Sequence, residues 1–215
     1  IKAVKESYPD AVVDFLVKKE YHDLFSGSPH LNRIITLDSN GVHKGINGLL
    51  KISKELRAGE YTHVIDLHGN LRSRMITSLL PGAKTLRYDK QALKRRLLLS
   101  GFKANIRHTV DAYLASLLPL GIAKHEHLPS LSIYISKDEE DGAKLFLAQA
   151  GISEGEVLVG IAPGARWLTK RWMEDGFIEV GRKAVKELGA RVLIFGGPGE
   201  ADLSKRVAIG IGDKA

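Results

Sequence analysis

The chain has 215 residues, enough for one large or two small domains, and its 44% hydrophobic and 27% charged content is that of a globular protein with a sizeable core. It has no cysteine, which excludes disulfides and thiolate metal sites, and no apolar run long enough to span a bilayer. The net charge of +7 calls for an anionic partner; the basic residues are dispersed and aromatics are only 7%, which argues against nucleic acid and for an anionic substrate near a lipid surface.

Strand and helix patterns alternate along the chain. The opening Ile1 to Glu6 reads as the end of an amphipathic helix rather than a signal peptide. Positions 11–17 read as a buried strand, 21–25 as a short helix stopped by Gly27-Ser28-Pro29, and 33–38 as a second strand. Helical apolar spacing covers 46–56 and stops near Gly59. A third strand is expected at 63–67, a helix at 71–80, a short strand at 84–88, and helices at 91–99 and 108–120. An alternating strand is expected at 131–135, then a helix at 138–149. The last series is a strand at 157–161, a helix at 177–188, a strand at 192–195 and a helix from about 200. His125 and His127 read as loop residues.

Such alternation indicates βαβ units and a parallel sheet, an α/β class. The seam is expected around Gly151 to Gly155, which divides the chain into 1–151 and 152–215. Two strands after the seam make a poor parallel sheet, and the front begins inside a helix. We therefore expect a piece of a longer protein, cut at both ends.

The sharpest motif is Pro163-Gly164-Ala165-Arg166-Trp167-Leu168-Thr169-Lys170-Arg171-Trp172, which follows a strand and is read as a turn opening a helix. Gly164 permits close backbone approach, Thr169 offers a hydroxyl, Lys170 a point charge and Arg171 a forked donor. Together they suit a phosphate or diphosphate. The plain alternative is a solvated basic turn with Trp172 in the core. Gly196-Gly197-Pro198-Gly199-Glu200 repeats the strand–turn–helix pattern. It is neither a P-loop nor a dinucleotide fingerprint, because the glycine spacing fails. Glu200 there either accepts from a ribose or base, or favours the helix start.

Asp66-Leu67-His68-Gly69-Asn70-Leu71-Arg72-Ser73-Arg74 closes the third strand. Arg72 and Arg74 in a first helical turn oppose the helix dipole, so they call for an anion, and an acidic acceptor would supply it, with Asp66 and His68 as further acceptor-binding candidates; alone, His68 reads as a loop histidine satisfied by backbone. No third ligand is spaced to make a metal site with Asp66 and His68. Lys94-Arg95-Arg96 followed by Leu97-Leu98-Leu99 forms a basic amphipathic helix. A half-exposed helix with a solvated basic face is preferred there to one lying on a membrane. No G-x-S-x-G elbow occurs.

Taken in order, Val64 to Arg74, His108 to Ile122, Pro163-Gly164-Ala165 with Lys170-Arg171-Trp172, and Gly196 to Glu200 resemble the ADP-heptose:lipopolysaccharide heptosyltransferase family, glycosyltransferase family 9. The resemblance implies a GT-B fold of two Rossmann-like domains: the first for an anionic lipid-A/Kdo-type acceptor, the second for a nucleotide sugar. It implies inverting transfer of a heptose from ADP-heptose to the lipopolysaccharide inner core, without metal or cofactor, at the cytoplasmic face of the inner membrane.

By the same resemblance, Lys170 would hold the donor diphosphate with the backbone of Gly164 and Ala165, and Glu200 would contact the nucleoside. Arg72, after Asp66, would face the acceptor. The family's general base and a second phosphate loop are expected before Ile1 and after Ala215, so the catalytic residue has no number here. The chain as given is expected to be inactive. The phosphate loop alone equally fits a GT-B enzyme using a UDP sugar, or a nucleotide-binding module without turnover.

Overall fold

A computed structural model describes residues 1–122 and 132–215. Within it the chain divides into two compact units, Ile1–Ser136 and Lys137–Ala215.

The first unit runs α1 (Lys2–Ser7), β1 (Asp14–Lys18), α2 (Asp23–Ser26), β2 (Arg33–Leu37), α3 (Gly45–Arg57), β3 (His63–Asp66), α4 (Leu71–Ser78), β4 (Lys84–Arg87), α5 (Ala92–Leu99) and α6 (Thr109–Ala115). β1 pairs in parallel with β2, Asp14 opposite Arg33, and β3 with β4, Asp66 opposite Arg87. In α3, Leu49, Ile52 and Leu56 recur at helical spacing, and all three are buried. They meet Ile35 and Leu37 of β2, Ile76 of α4 and Leu80 just beyond that helix in one core. Ile52 is wholly shielded from solvent at its centre. Burying one such side chain stabilises the fold by about 1.5–3 kcal/mol. A smaller cluster of Ala3, Leu117 and Ile122 seats α1 against the chain that follows α6.

The second unit holds α7 (Lys137–Gln149), β5 (Leu158–Ile161), α8 (Glu174–Leu188), β6 (Arg191–Ile194) and α9 (Ala201–Ile211). β5 and β6 are parallel, and the ladder continues past them through the Phe195 amide, which donates to the Ile161 carbonyl at 2.8 Å. α8 packs on α9 through glycines: a Cβ at Gly210 or Gly181 would collide with Ile178 or Ile211. Gly189 ends α8 at φ 63°, the left-handed conformation that glycine adopts without strain.

Contacts group the chain on either side of Ser136 and Lys137. The helix at 137–149 thus joins the second unit, where the Arg191 guanidinium donates to the Ala150 carbonyl at 2.9 Å. Residues 132–136 form no strand, and Leu131 lies outside the described residues. The alternation there misleads because Tyr134 is the side chain that packs, its hydroxyl 2.9 Å from His30 Nε2, while Ile133 and Ile135 stay exposed. The helix expected at 108–120 ends at Ala115 and resumes as a 3₁₀ turn at Leu118–Leu120, since Pro119 has no amide to donate. His125 and His127 lie outside the described residues.

Candidate functional site

In the second unit the loops after β5 and β6 stand side by side, at the carboxyl ends of two parallel strands. Pro163 is fully buried and fixes the exit from β5. Gly164 lies directly against the Glu200 carboxylate; a Cβ at this position would occupy the carboxylate's place. The Gly197 amide donates to the same carboxylate at 2.9 Å, so Glu200 braces both loops from the last position of the 3₁₀ turn Pro198–Glu200 that leads into α9.

The turn after Pro163 does not open a helix, contrary to the sequence reading. Trp167 and Arg171 are extended, a 3₁₀ turn spans Leu168–Lys170, and α8 begins only at Glu174. Its first turn carries Glu174 and Asp175, which already answer the helix dipole. The Arg206 guanidinium, by its hydrogen bonds to Glu174, holds that carboxyl below the usual carboxylate range.

The groups that suit an anion are therefore those of the loop itself. Among the described residues the amides of Gly164, Ala165 and Arg166 donate to no protein acceptor. Lys170 is exposed and has no ion-pair partner there. The Arg171 guanidinium donates to the Ala165 carbonyl at 3.2 Å and braces the loop. Thr169 is exposed on the same turn. Trp172 is not core: it is half exposed and stacks edge-on against Phe177 at 5.2 Å.

In the first unit Asp66 is turned inward, its side chain 2% exposed. It accepts from the amides of His68 (3.0 Å) and Gly69 (2.8 Å) and from the Ser73 hydroxyl (2.9 Å). Asp66 is thus a latch for the loop. Asn70 caps α4, its Oδ1 accepting from the Ser73 amide while the Ser73 hydroxyl accepts from the Asn70 amide. His68 is exposed. Arg72 and Arg74 fall in the first turn of α4 as expected, and neither has an ion-pair partner among the described residues.

Two further cations were missed in the sequence. A Cβ at Gly69, φ 56°, would meet Lys90 Cε at 3.2 Å, so Lys90 stands over the loop. Arg87 reaches within 3.9 Å of Asp66 and donates to Thr77 Oγ1 at 3.2 Å. Parallel pairing of β4 with β3 delivers both; the one local signal was a strand end followed by a basic residue. Among the described residues no three His, Asp or Glu side chains cluster as a metal site.

The pattern of glycosyltransferase family 9 (heptosyltransferase) matches residues 49–212. Lipopolysaccharide heptosyltransferase 3 of Escherichia coli K12 is 25% identical over 210 residues, 95% of this chain and 60% of the relative. The chain thus spans about 60% of the length of the curated relatives it matches. Among solved structures, the glycosyl transferase family 9 protein of Veillonella parvula superposes with a TM-score of 0.79 at 22% identity, over 96% of this chain and 59% of that one. The E. coli heptosyltransferase WaaC with ADP gives 0.65 at 21% identity, over 98% and 65%. The architecture is accordingly the GT-B type, α/β units with parallel strands. With the family pattern covering most of its length, the chain belongs to glycosyltransferase family 9.

Proposed function

We propose that the full protein is an inverting glycosyltransferase that moves a heptose from ADP-heptose to an anionic lipid-A/Kdo-type acceptor of the lipopolysaccharide inner core. It works without metal or cofactor, peripherally on the cytoplasmic face of the inner membrane. The observation that carries the reading is the loop after β5. Three amides and the ammonium of Lys170, all without protein partners among the described residues, stand at the end of a parallel strand, in a chain of this family. Such a cradle binds the donor diphosphate and stabilises the charge that grows on it as the glycosidic bond breaks. Arg171 keeps the loop in shape, and Glu200 holds Gly164 in place and meets the nucleoside. Arg72 and Arg74, with Lys90 and His68 beside them, receive the anionic acceptor. The 1–151 and 152–215 portions carry these two roles, with α7 grouped by contacts into the second. No residue of this chain is assigned as the general base.

Trp167 and Trp172, both more than half exposed, flank the loop and report on it. Titrating the chain with ADP, UDP and GDP is expected to give saturable quenching by ADP ahead of UDP, lost in Lys170→Ala. A preference for UDP replaces the donor with a UDP sugar. Incubating the full-length gene product with ADP-heptose and a Kdo-bearing acceptor tests transfer; no release of ADP there rejects the activity.

A further inference from the structure

Residues 92–103 are exposed without interruption. They comprise α5 and the turn after it, a segment in which the sequence places five large apolar side chains. Their exposures are 71% for Leu93, 40% for Leu97, 43% for Leu98, 90% for Leu99 and 63% for Phe102. The solvated basic helix expected from the sequence would have turned its leucines to the core. Here α5 buries none.

The segment is nonetheless built. Gln91, buried and left-handed at φ 51°, clamps its base. Its side chain donates to the Arg107 carbonyl at 3.2 Å and accepts from the Arg107 amide at 2.9 Å. At the far end Gly101, φ 84°, closes the helix. Its amide donates to the Leu98 carbonyl and the Phe102 amide to the Leu97 carbonyl, both at 3.0 Å. This double closure folds the backbone of Phe102 back onto Leu97, which shares a helical face with Leu93. Leu99 and Phe102 mark the turn.

The charge of the arm is of one sign. From Lys90 to Val110 the sequence has Lys90, Lys94, Arg95, Arg96, Lys103 and Arg107 and no acid. None of Lys94, Arg95, Arg96 and Lys103 is ion-paired among the described residues. A clamped arm with apolar side chains at its turn and cations along its flanks complements one kind of surface. The leucines and Phe102 enter the acyl boundary while the cations stay at anionic headgroups. No helix among the described residues is long and apolar enough to cross a membrane.

We infer that the arm at residues 92–103 is a membrane-docking element that seats the protein on an anionic lipid surface. It deepens the membrane placement proposed above and rests on that placement, but not on the donor reading.

Sedimentation with vesicles tests it, comparing phosphatidylcholine alone with phosphatidylcholine carrying phosphatidylglycerol, at low and high salt. The chain is expected to bind only the anionic vesicles and to be released by salt. The triple variant Lys94→Glu/Arg95→Glu/Arg96→Glu is expected to lose about a hundredfold in partitioning. Leu93→Ser/Leu99→Ser/Phe102→Ser is expected to lose tenfold or more. Because these side chains are exposed, both variants keep the wild-type circular dichroism and unfolding midpoint, which separates lost docking from lost folding. Anionic-vesicle binding that neither variant changes overturns the arm and leaves the membrane placement standing. No vesicle binding by the wild type, or equal binding to both compositions, overturns both. Retention of a DNA duplex in place of vesicles, abolished by the charge variant, also overturns the proposal.

Discussion

The carboxylate of Glu200 rests on the α-carbon of Gly164, joining two loops that are 36 residues apart in the chain. One oxygen is held by the Gly197 amide at 2.9 Å. The absence of a side chain at Gly164 is what lets the acid sit there, so glycine here is demanded by a neighbour rather than by its own backbone angles. Gly164→Ala is expected to destabilise the protein by about 1–3 kcal/mol through overpacking. In a Glu200→Ala background most of that cost disappears. A double-mutant cycle from urea unfolding checks it; additive costs would mean the two residues do not share the space.

Lys170 and Arg171 adjoin in sequence but differ in employment. Lys170→Ala is expected to weaken ADP binding about ten- to hundredfold, the worth of a hydrogen bond to a charged group. Its unfolding midpoint should not move, since the ammonium has no ion-pair partner among the described residues. Arg171→Ala is expected to weaken binding less and to lower the midpoint, because its guanidinium braces the Ala165 carbonyl. Calorimetric titration with ADP beside thermal unfolding separates the two effects.

Asp66 and His68 divide in the same manner. Replacing Asp66 by Ala leaves two amides and a hydroxyl without their acceptor and is expected to cost about 2–4 kcal/mol. His68→Ala, at an exposed position, is expected to stay within about 0.5 kcal/mol of wild type. Equal stability losses would remove Asp66 from its structural role.

Tyr61 gives a pH signature. Burial, then its hydrogen bond to Asp14 at 2.6 Å, raise the phenol above its ordinary value of 10.0, while Arg33 opposes them. A raised value means the neutral form is the one the fold favours. The contribution is full below pH 10.0 and is lost as pH climbs toward the folded value. Unfolding free energy is thus expected to fall with alkaline pH above about 10 in the wild type, and the slope to flatten in Tyr61→Phe. An unchanged slope would remove Tyr61 as its source.

Much of the fold was legible because its signals are local. The 3.6-residue spacing of Leu49, Ile52 and Leu56 identified α3, and the short apolar runs ended by turns marked β2, β3, β5 and β6. The 131–135 stretch misled because alternation says which side chains share a face, not which face is covered; Tyr134 found His30 and the isoleucines stayed exposed. The loop after β5 was read correctly as basic and wrongly as a helix start, since glycine and cations are visible in sequence but the ten residues before Glu174 are not committed by them.

By itself the sequence determined the α/β alternation, the parallel class and the family, because spacing, turn residues and motif order are properties of short segments. Only the tertiary structure decided that α7 goes with the second unit, that Asp66 faces inward and Lys90 outward over the same loop, and that the leucines of α5 stay exposed among the described residues. Each of these depends on a partner distant along the chain. Whether a side chain is buried, latched or left for a ligand is decided by what that partner supplies.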